Sequence, residues 1–286
     1  MSRIEVKELN YIYSPGMPFQ KQALFDVNLT IESGEFVGLI GHTGSGKSTL
    51  VQNLNGLVVP TSGEILVDGI NYQREKGKLS QLRQKVGLVF QYPEYQLFEE
   101  TVNLDVAFGP KNLGLSKEEV DQRVARALKQ VGLNQEEVGE KSPFELSGGQ
   151  KRRVAIAGIL AMEPEVLVLD EPTAGLDPHG SKEILDELRE IFKSTDTAIV
   201  LVSHSMEEVA RLATRIVVMS EGRVQMDGPP REVFQEEKRL RSMGLDVPQV
   251  KSAINDLRER GLELDDAITV EEAAESILAL WEAKNV

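Results

Sequence analysis

The fold of this chain is decided by a glycine-rich stretch, Gly41-His42-Thr43-Gly44-Ser45-Gly46-Lys47-Ser48-Thr49. It directly follows Glu35–Ile40, a nearly continuous apolar run that is typical of a strand buried on both faces of a parallel sheet. Leu50, Leu54 and Leu57 come after it at helical spacing. A buried strand, a glycine-rich loop and a helix in that order predict an α/β fold with a phosphate-binding loop.

The residue types in this loop suit a nucleoside phosphate, because they satisfy the pattern Gly-x-x-x-x-Gly-Lys-Ser/Thr in full. Glycines let the backbone wrap closely, so that successive N–H groups point at the phosphates, and the following helix adds its positive N-terminal end. Lys47 supplies a positive charge for the terminal phosphates, and the Ser48 hydroxyl is a ligand for Mg²⁺. The alternative, a glycine-rich turn that matches by chance, is disfavoured by the strand and the helix on either side.

Composition narrows the class of protein further. The 286 residues are 41% apolar and 27% charged, which are globular values and suit one large domain or a domain with an appendage. A net charge of −14 disfavours a nucleic acid as partner, and the absence of cysteine excludes disulfides and favours an intracellular location. Residues 1–5 lack the apolar stretch of a signal peptide. The longest apolar runs, 166–169 and 198–202, are too short to span a bilayer.

Two adjacent carboxylates, Asp170 and Glu171, end a second buried strand that begins at Val166. Ligands of an open parallel sheet lie outside the carboxyl ends of its strands, so we expect this pair to face the phosphate loop. Asp170 is then the residue that holds Mg²⁺ through water, and Glu171 is placed to polarise the attacking water. By itself such a pair is more often a solvated helix start, but beside a phosphate loop it predicts a hydrolytic site.

A further phosphate-binding segment is Leu146-Ser147-Gly148-Gly149-Gln150, and residues 150–162 carry apolar side chains at helical spacing, which predicts a helix from Gln150. The simpler interpretation is a flexible turn in which Ser147 caps a helix. The functional interpretation is that this helix end also binds phosphate. A second phosphate-binding helix end is unusual in a chain that has no second lysine-containing phosphate loop. It makes sense if each helix end covers a nucleotide that another subunit holds.

With these segments the chain resembles the nucleotide-binding subunits of ATP-binding-cassette (ABC) transporters over about residues 3–230. Residues 41–49 and 166–171 match the two Walker motifs of that family, and residues 146–150 match its signature sequence without substitution. The signature disfavours a metabolic P-loop kinase. The chain also contains no Asn-Lys-x-Asp guanine reader, which disfavours a GTPase.

Four smaller matches occur in the order of the family. Gln91, after an apolar strand, matches the Q-loop, and residues 174–177 (Ala-Gly-Leu-Asp) resemble the D-loop. His204, after a third buried strand, matches the switch histidine. Tyr13 falls where these ATPases stack a ring on adenine, with Tyr11 as the alternative register.

The resemblance implies the architecture of a P-loop NTPase of the α/β class. A mainly parallel core sheet flanked by helices carries an antiparallel β subdomain and a helical signature subdomain at about residues 92–163. Residues 1–232 form this cassette, and residues 233–286 form a small α-helical C-terminal extension.

The resemblance also implies how the site works. Two cassettes meet head to tail, and each ATP with its Mg²⁺ lies between the P-loop of one and the signature helix of the other. The expected ATP contacts are Tyr13, residues 41–49 and, from the second subunit, Ser147, Gly148, Gly149 and Gln150. Glu171, His204 and Gln91 are the expected catalytic residues, and Ser48, Gln91 and Asp170 the expected metal-binding ones. His42 and His179 receive no chemical role.

Residues 92–98 (Tyr-Pro-Glu-Tyr-Gln-Leu-Phe) are unusually apolar for a loop and predict a docking surface, the alternative being a cover over the helical arm's own core. That arm contains a capping box at Ser116 and Glu119, followed by Val120, Val124, Leu128 and Val131 at helical spacing.

Two short amphipathic helices are expected after residue 232. Pro248 opens the first, and a capping box at Thr269 opens the second, which carries Ala273, Ile277, Leu278 and Trp281. They pack either on their own cassette or on a second subunit. The second option, a dimerisation region, is favoured because a small appendage has little core of its own.

The extension and residues 91–98 resemble the ATPases of energy-coupling factor (ECF) transporters, which take up vitamins, and those of cobalt and nickel importers. The resemblance implies a membrane-peripheral subunit on the cytoplasmic face, driving uptake of a vitamin or similar micronutrient. Its implied partners are a second ATPase (identical or paralogous), a transmembrane coupling subunit and a substrate-binding membrane subunit. A cobalt or nickel importer is the alternative. A soluble ABC protein acting on DNA or ribosomes is disfavoured by the single cassette and the charge of −14.

Overall fold

A six-stranded sheet forms the centre of the computed structural model, which describes residues 3–75 and 77–285. Across the sheet its strands are β5 (Val86–Val89), β6 (Val166–Asp170), β7 (Ala198–Val202), β3 (Phe36–Ile40), β8 (Arg215–Ser220) and β9 (Arg223–Gly228). The first five run parallel, and β9 pairs antiparallel with β8 at one edge. Every residue of β3, β5, β6 and β7 is buried, which confirms the predicted parallel core.

A second, three-stranded antiparallel sheet consists of β2 (Lys21–Glu32), β1 (Arg3–Tyr13) and β4 (Ser62–Val67), in that order. The alternating patterns at residues 4–9 and 27–31 lie within β1 and β2. Both strands extend beyond those patterns, because their pairing continues to Tyr13 opposite Lys21. This sheet therefore delivers Tyr13 to the region of the phosphate loop.

Helices surround the sheets. The first seven along the chain are α1 (Lys47–Leu54), α2 (Leu79–Lys85), α3 (Val102–Asn112), α4 (Lys117–Gln130), α5 (Gln135–Val138), α6 (Gly148–Leu160) and α7 (Pro178–Ser194). The others are α8 (Met206–Leu212), α9 (Pro230–Gln235), α10 (Glu237–Ser242), α11 (Gln249–Glu259) and α12 (Val270–Asn285). Two 3₁₀ turns, Pro93–Gln96 and Pro143–Glu145, precede α3 and α6.

The helical subdomain is built on α3, α4 and α6. The predicted capping box opens α4, since the Glu119 N–H donates to Ser116 Oγ at 3.3 Å and the Ser116 N–H to Glu119 Oε2 at 3.0 Å. The apolar face of α4 is buried in one core with residues of β6 and β7. The fold class is therefore the predicted one.

Two local expectations need correction. The helix after the phosphate loop ends at Leu54, so Leu57 lies beyond it and is 46% exposed. Gly56 interrupts the helix by adopting a left-handed conformation with φ 69°. The signature helix begins at Gly148 rather than Gln150, because Ser147 takes the N-cap position.

The inner side of the C-terminal extension packs on its own cassette. Val233, Phe234, Leu240, Val247 and Ile268 are buried in one cluster with residues of β8 and α8. A smaller cluster joins α11 to α12. On the outer side of α12, by contrast, Ile277, Leu278 and Trp281 are 45%, 57% and 64% exposed. Among the described residues, no helix combines the length and the apolar character that crossing a membrane requires.

Candidate active site

A cavity of about 760 Å³ opens at the carboxyl ends of the parallel strands. It brings together ten residues that the sequence pattern singled out: Tyr13, Thr43, Gly44, Gly46, Lys47, Ser48, Thr49, Gln91, Glu171 and His204. Gly41, His42 and Ser45 do not line it. Within the loop Gly41 and Ser45 are buried, and the Nδ1 of His42 lies 2.8 Å from the Thr43 carbonyl oxygen.

The phosphate loop has the backbone freedom that its glycines predict. Gly44 has φ 82° and open space where a Cβ would stand, while Gly46 has φ 105° and lies so close to the Ala23 carbonyl that a Cβ would be 2.9 Å from that oxygen. Lys47 Nζ donates to the carbonyls of Gly41, at 2.6 Å, and His42, at 3.2 Å. Burial lowers the pKa of Lys47, against the opposing charges of Glu171 and Asp170.

The carboxylate of Glu171 is held between two side chains from neighbouring strand ends. Gln91 Nε2 donates to Glu171 Oε2 at 3.1 Å, and His204 Nε2 lies 2.8 Å from Glu171 Oε1. The Glu171 backbone adopts a left-handed conformation, φ 51°, as β6 ends. The three residues predicted to be catalytic therefore form one contiguous group at the mouth of the cavity.

Asp170 lies behind this group and is 9% exposed. Burial raises its pKa, and a hydrogen bond from Ser48 opposes that effect. Among the described residues no cluster of three or more His, Cys, Asp and Glu could enclose a metal ion. A hydroxyl and one carboxylate beside a phosphate site are nevertheless the donors that suit Mg²⁺, which keeps most of its waters and shares the phosphates.

Tyr13, not Tyr11, lines the cavity. The Tyr13 hydroxyl is 2.9 Å from Thr49 Oγ1, and Tyr13 is the last residue of β1. Tyr11 packs on the core of the antiparallel sheet and meets Tyr13 edge to face, with ring centroids 4.8 Å apart. The geometry thus favours Tyr13 as the ring available to a base.

The signature segment lies outside the cavity, since none of residues 147–150 lines it. Ser147 and Gln150 form a capping box: the Gln150 N–H donates to Ser147 Oγ at 3.3 Å and the Ser147 N–H to Gln150 Oε1 at 3.1 Å. Ser147 and Gly148 are exposed, and nothing lies near Gly149 where a Cβ would stand. Ser147 thus caps the helix as expected, and the N-terminus of the helix is exposed at Ser147 and Gly148.

Six cavity residues were not anticipated from the sequence: Lys21, Gln22, Ala23, Phe25, Glu221 and Gly222. They come from β2 and from the turn between β8 and β9. A backbone hydrogen bond from Phe25 N–H to the Gly222 carbonyl (2.9 Å) joins β2 to this turn, and one from Gly222 N–H to the Ser45 carbonyl (3.0 Å) joins the turn to the phosphate loop. Nothing in the local sequence of a strand or a turn signals such a role, because it depends on the meeting of two sheets.

Comparison with known proteins agrees with this geometry. A family model described as ABC transporter matches residues 24–174. The energy-coupling factor transporter ATP-binding protein EcfA2 of Clostridium tetani is 55% identical over 282 residues, 98% of each chain. The protein of the same name from Caldanaerobacter subterraneus subsp. tengcongensis is 56% identical over 285 residues, 99% of each chain.

Solved structures give the same result. The cbiO1 protein of Clostridium perfringens, part of the ABC transporter complex cbiONQ, is 43% identical with a TM-score of 0.75, covering 90% of this chain and 98% of that one. A dimeric bacterial ABC transporter cassette is 33% identical with a TM-score of 0.70, covering 80% and 99%. The chain belongs to the ABC transporter family, among the energy-coupling factor ATP-binding proteins. It is an ATPase that binds ATP.

Proposed function

We propose that this chain is the ATP-hydrolysing subunit of a transporter of the energy-coupling factor type, and that it couples ATP-driven closure of a cassette dimer to uptake of a vitamin or similar micronutrient. The observation that carries the proposal is the placement of Glu171 between Gln91 and His204, at the mouth of a cavity built on the phosphate loop. The names of full-length relatives support the transporter type.

The chain's own residues divide the chemistry between them. The N–H groups of residues 44–49 and the Lys47 ammonium bind and orient the phosphates of ATP. Glu171 accepts a proton from the attacking water, and His204 and Gln91 hold its carboxylate in position. Ser48, Asp170 and Gln91 would hold Mg²⁺, which when bound neutralises charge on the terminal phosphates. Positioning and charge stabilisation carry most of the rate acceleration of phosphoryl transfer.

A second ATPase subunit, identical or paralogous, completes the site. Residues 147–150 do not line the cavity of their own chain, yet they form a helix N-terminus that is exposed at Ser147 and Gly148, the kind of site that binds phosphate groups. We infer that Ser147, Gly148, Gly149 and Gln150 contact the γ-phosphate of an ATP held by the other subunit. The dimeric state of the solved cassette supports this arrangement.

The membrane partner docks on a surface that we call the aromatic platform: Tyr92, Tyr95, Phe98 and Phe108, which are 40%, 84%, 58% and 45% exposed. Beside it a groove of about 560 Å³ runs between α2, α3 and α6. Exposed apolar area of this kind marks a protein contact. We propose that a transmembrane coupling subunit occupies it, that a substrate-binding membrane subunit completes the complex, and that the chain therefore lies on the cytoplasmic face of the membrane.

The test is Glu171→Gln in the full chain. The amide keeps the size of the carboxylate and one of its two acceptor oxygens but cannot accept the proton, so we expect ATP turnover to fall by about 10²-fold or more while ATP binding persists. Phosphate release and nucleotide binding are measured side by side. Glu190→Gln, the same change on the solvent side of α7, serves as the matched control. Turnover of Glu171→Gln at the rate of the control contradicts the assignment.

A further inference from the structure

The largest fully buried side chain of the described residues is a charged one, Arg152 on the signature helix, at 1% exposure. Its Nε and Nη2 donate to the two oxygens of Glu94, at 2.9 and 2.6 Å. Its Nη1 donates to the carbonyls of Pro172, at 2.9 Å, and Ala174, at 2.8 Å. None of the chemistry above uses this arginine.

The partners of Arg152 come from two segments with different tasks. Glu94 belongs to the 3₁₀ turn Pro93–Gln96, which contains Tyr95 of the aromatic platform and directly follows Tyr92, whereas Pro172 and Ala174 follow the catalytic Glu171 by one and three residues. Tyr92 strengthens the connection. Its ring lies 5.9 Å from the guanidinium, and its Cε1 would be 3.2 Å from a Cβ at Gly175.

Arg152 and Glu94 form a largely buried ion pair, because the Arg152 side chain is 1% and the Glu94 side chain 16% exposed. Burial is the largest single effect on Glu94 and raises its pKa, but the hydrogen bonds from Arg152, a backbone hydrogen bond and the charge of Arg152 together outweigh it, so the pKa of Glu94 lies below its ordinary value. A buried ion pair adds little net stability over an apolar pair, so we assign to this one a role in fixing geometry. The planar fork of an arginine suits that task, since it engages a carboxylate and two carbonyls at once.

We propose that Arg152 is a positioning residue that ties the aromatic platform to the loop behind Glu171, so that a displacement of one is transmitted to the other. The inference rests on the proposed function, because it assigns the platform to a membrane partner and Glu171 to hydrolysis. This connection is separate from the one through Gln91, which hydrogen-bonds to Glu171 and directly precedes Tyr92 of the platform.

Hydrogen exchange of the full chain with and without Mg-ATP tests this connection. In the Glu171→Gln background, which retains bound ATP, we expect Mg-ATP to slow exchange in the phosphate loop, in residues 172–176 and in residues 92–98. Adding Glu94→Gln removes the charge of the pair but keeps its shape. The slowing at 92–98 should then fall by about tenfold, because a charge-assisted bidentate contact is lost, while that at 172–176 remains.

Arg152→Lys is the second variant. It keeps the charge but lacks the fork, so it should lose the slowing at 92–98 as Glu94→Gln does. Glu100→Gln, a nearby glutamate outside the contacts of Arg152, is the matched control, and thermal unfolding of each variant checks its fold. Full slowing at 92–98 in Glu94→Gln and in Arg152→Lys overturns the inference, since Gln91 would then suffice. If ATP slows exchange nowhere, not even in the phosphate loop of the background, the proposed function itself fails and the inference fails with it.

Discussion

At the scale of single residues, the site depends on a backbone conformation that few residues other than glycine adopt. Glu171 has φ 51°, a left-handed conformation that costs a non-glycine residue roughly 1 kcal/mol or more. Its N–H donates to the Val202 carbonyl at 3.0 Å, and its carboxylate meets Gln91 and His204. These contacts hold the backbone in a turn that directs the carboxylate toward the cavity, so the strain serves the position of the proposed general base.

Tyr13 gives a prediction at the same scale. If its ring stacks on adenine, Tyr13→Ala should weaken ATP binding by about tenfold or more, since stacking of a base on an aromatic ring contributes roughly 1–3 kcal/mol. Tyr13→Phe keeps the ring and loses only the hydrogen bond to Thr49, so we expect affinity close to that of the unchanged chain. Titration with a fluorescent ATP analogue measures both. Equal affinities for the alanine and phenylalanine variants would rule out stacking on Tyr13.

At the scale of secondary-structure elements, carboxylates join the signature helix to the helix after the D-loop. Arg153 on α6 pairs with Glu183 at 2.6 Å and with Glu187 at 3.1 Å, both on α7. Burial raises the pKa of Glu187 to about 7, and Glu183 and Asp186 act in the same direction against the charge of Arg153. This contact between elements is therefore sensitive to pH near neutrality.

The raised pKa of Glu187 determines the sign of a stability change. Between pH 4.5 and 7 the folded chain keeps this proton while the unfolded chain releases it, so the free energy of unfolding falls as pH rises through that window. Glu187→Gln mimics the protonated form, and we expect it to remove about 1–3 kcal/mol of the decrease between pH 5 and pH 8.

Urea unfolding of both chains at the two pH values measures the effect. Glu190→Gln, a substitution on the exposed side of the same helix, should leave the decrease unchanged. A decrease in Glu187→Gln as large as in the unchanged chain would show that Glu187 titrates normally in the folded state.

At the scale of the whole molecule, the C-terminal extension has an inner side that is buried and an outer side that is not. The inner side covers β8 and α8, whereas Ile277 and Leu278 remain 45% and 57% exposed on α12. We propose that this outer side contacts the second ATPase subunit, as the dimerisation region expected at residues 233–286. The site and the extension would then both require the same dimer.

Leu278→Asp tests the role of the extension. A charge in an apolar interface is unfavourable, so we expect the dissociation constant of the dimer to rise by about tenfold or more. On dilution, the specific ATPase activity of the variant should then begin to fall at a higher protein concentration than that of the unchanged chain. Sedimentation and activity are followed over one dilution series. Val270→Asp, at a 67% exposed apolar position in the first turn of the same helix, is the control. Full activity from a strictly monomeric chain would exclude the shared site altogether.

The sequence alone determined the features that depend on local backbone demands and on periodicity. Gly44 and Gly46 have the positive φ that a phosphate loop needs, the runs in β3 and β6 are buried on both faces, and Ser116 caps α4. Each of these follows from a few adjacent residues, because left-handed turns, parallel strands and helix caps impose strong restrictions on residue type. The family pattern added Gln91, Glu171 and His204, which the structure brings together.

The tertiary structure decided what depends on distant parts of the chain meeting. Arg152 and Glu94 are 58 positions apart, and each is an ordinary charged residue in its own segment. The side of the cavity formed by β2 and Gly222 arises where the two sheets meet. The end of α1 before Leu57 depends on Gly56, a residue type that is also found inside helices. The sequence also did not determine which apolar residues of the extension are buried. An amphipathic pattern predicts that one face of a helix is buried, but it does not identify the surface that covers this face.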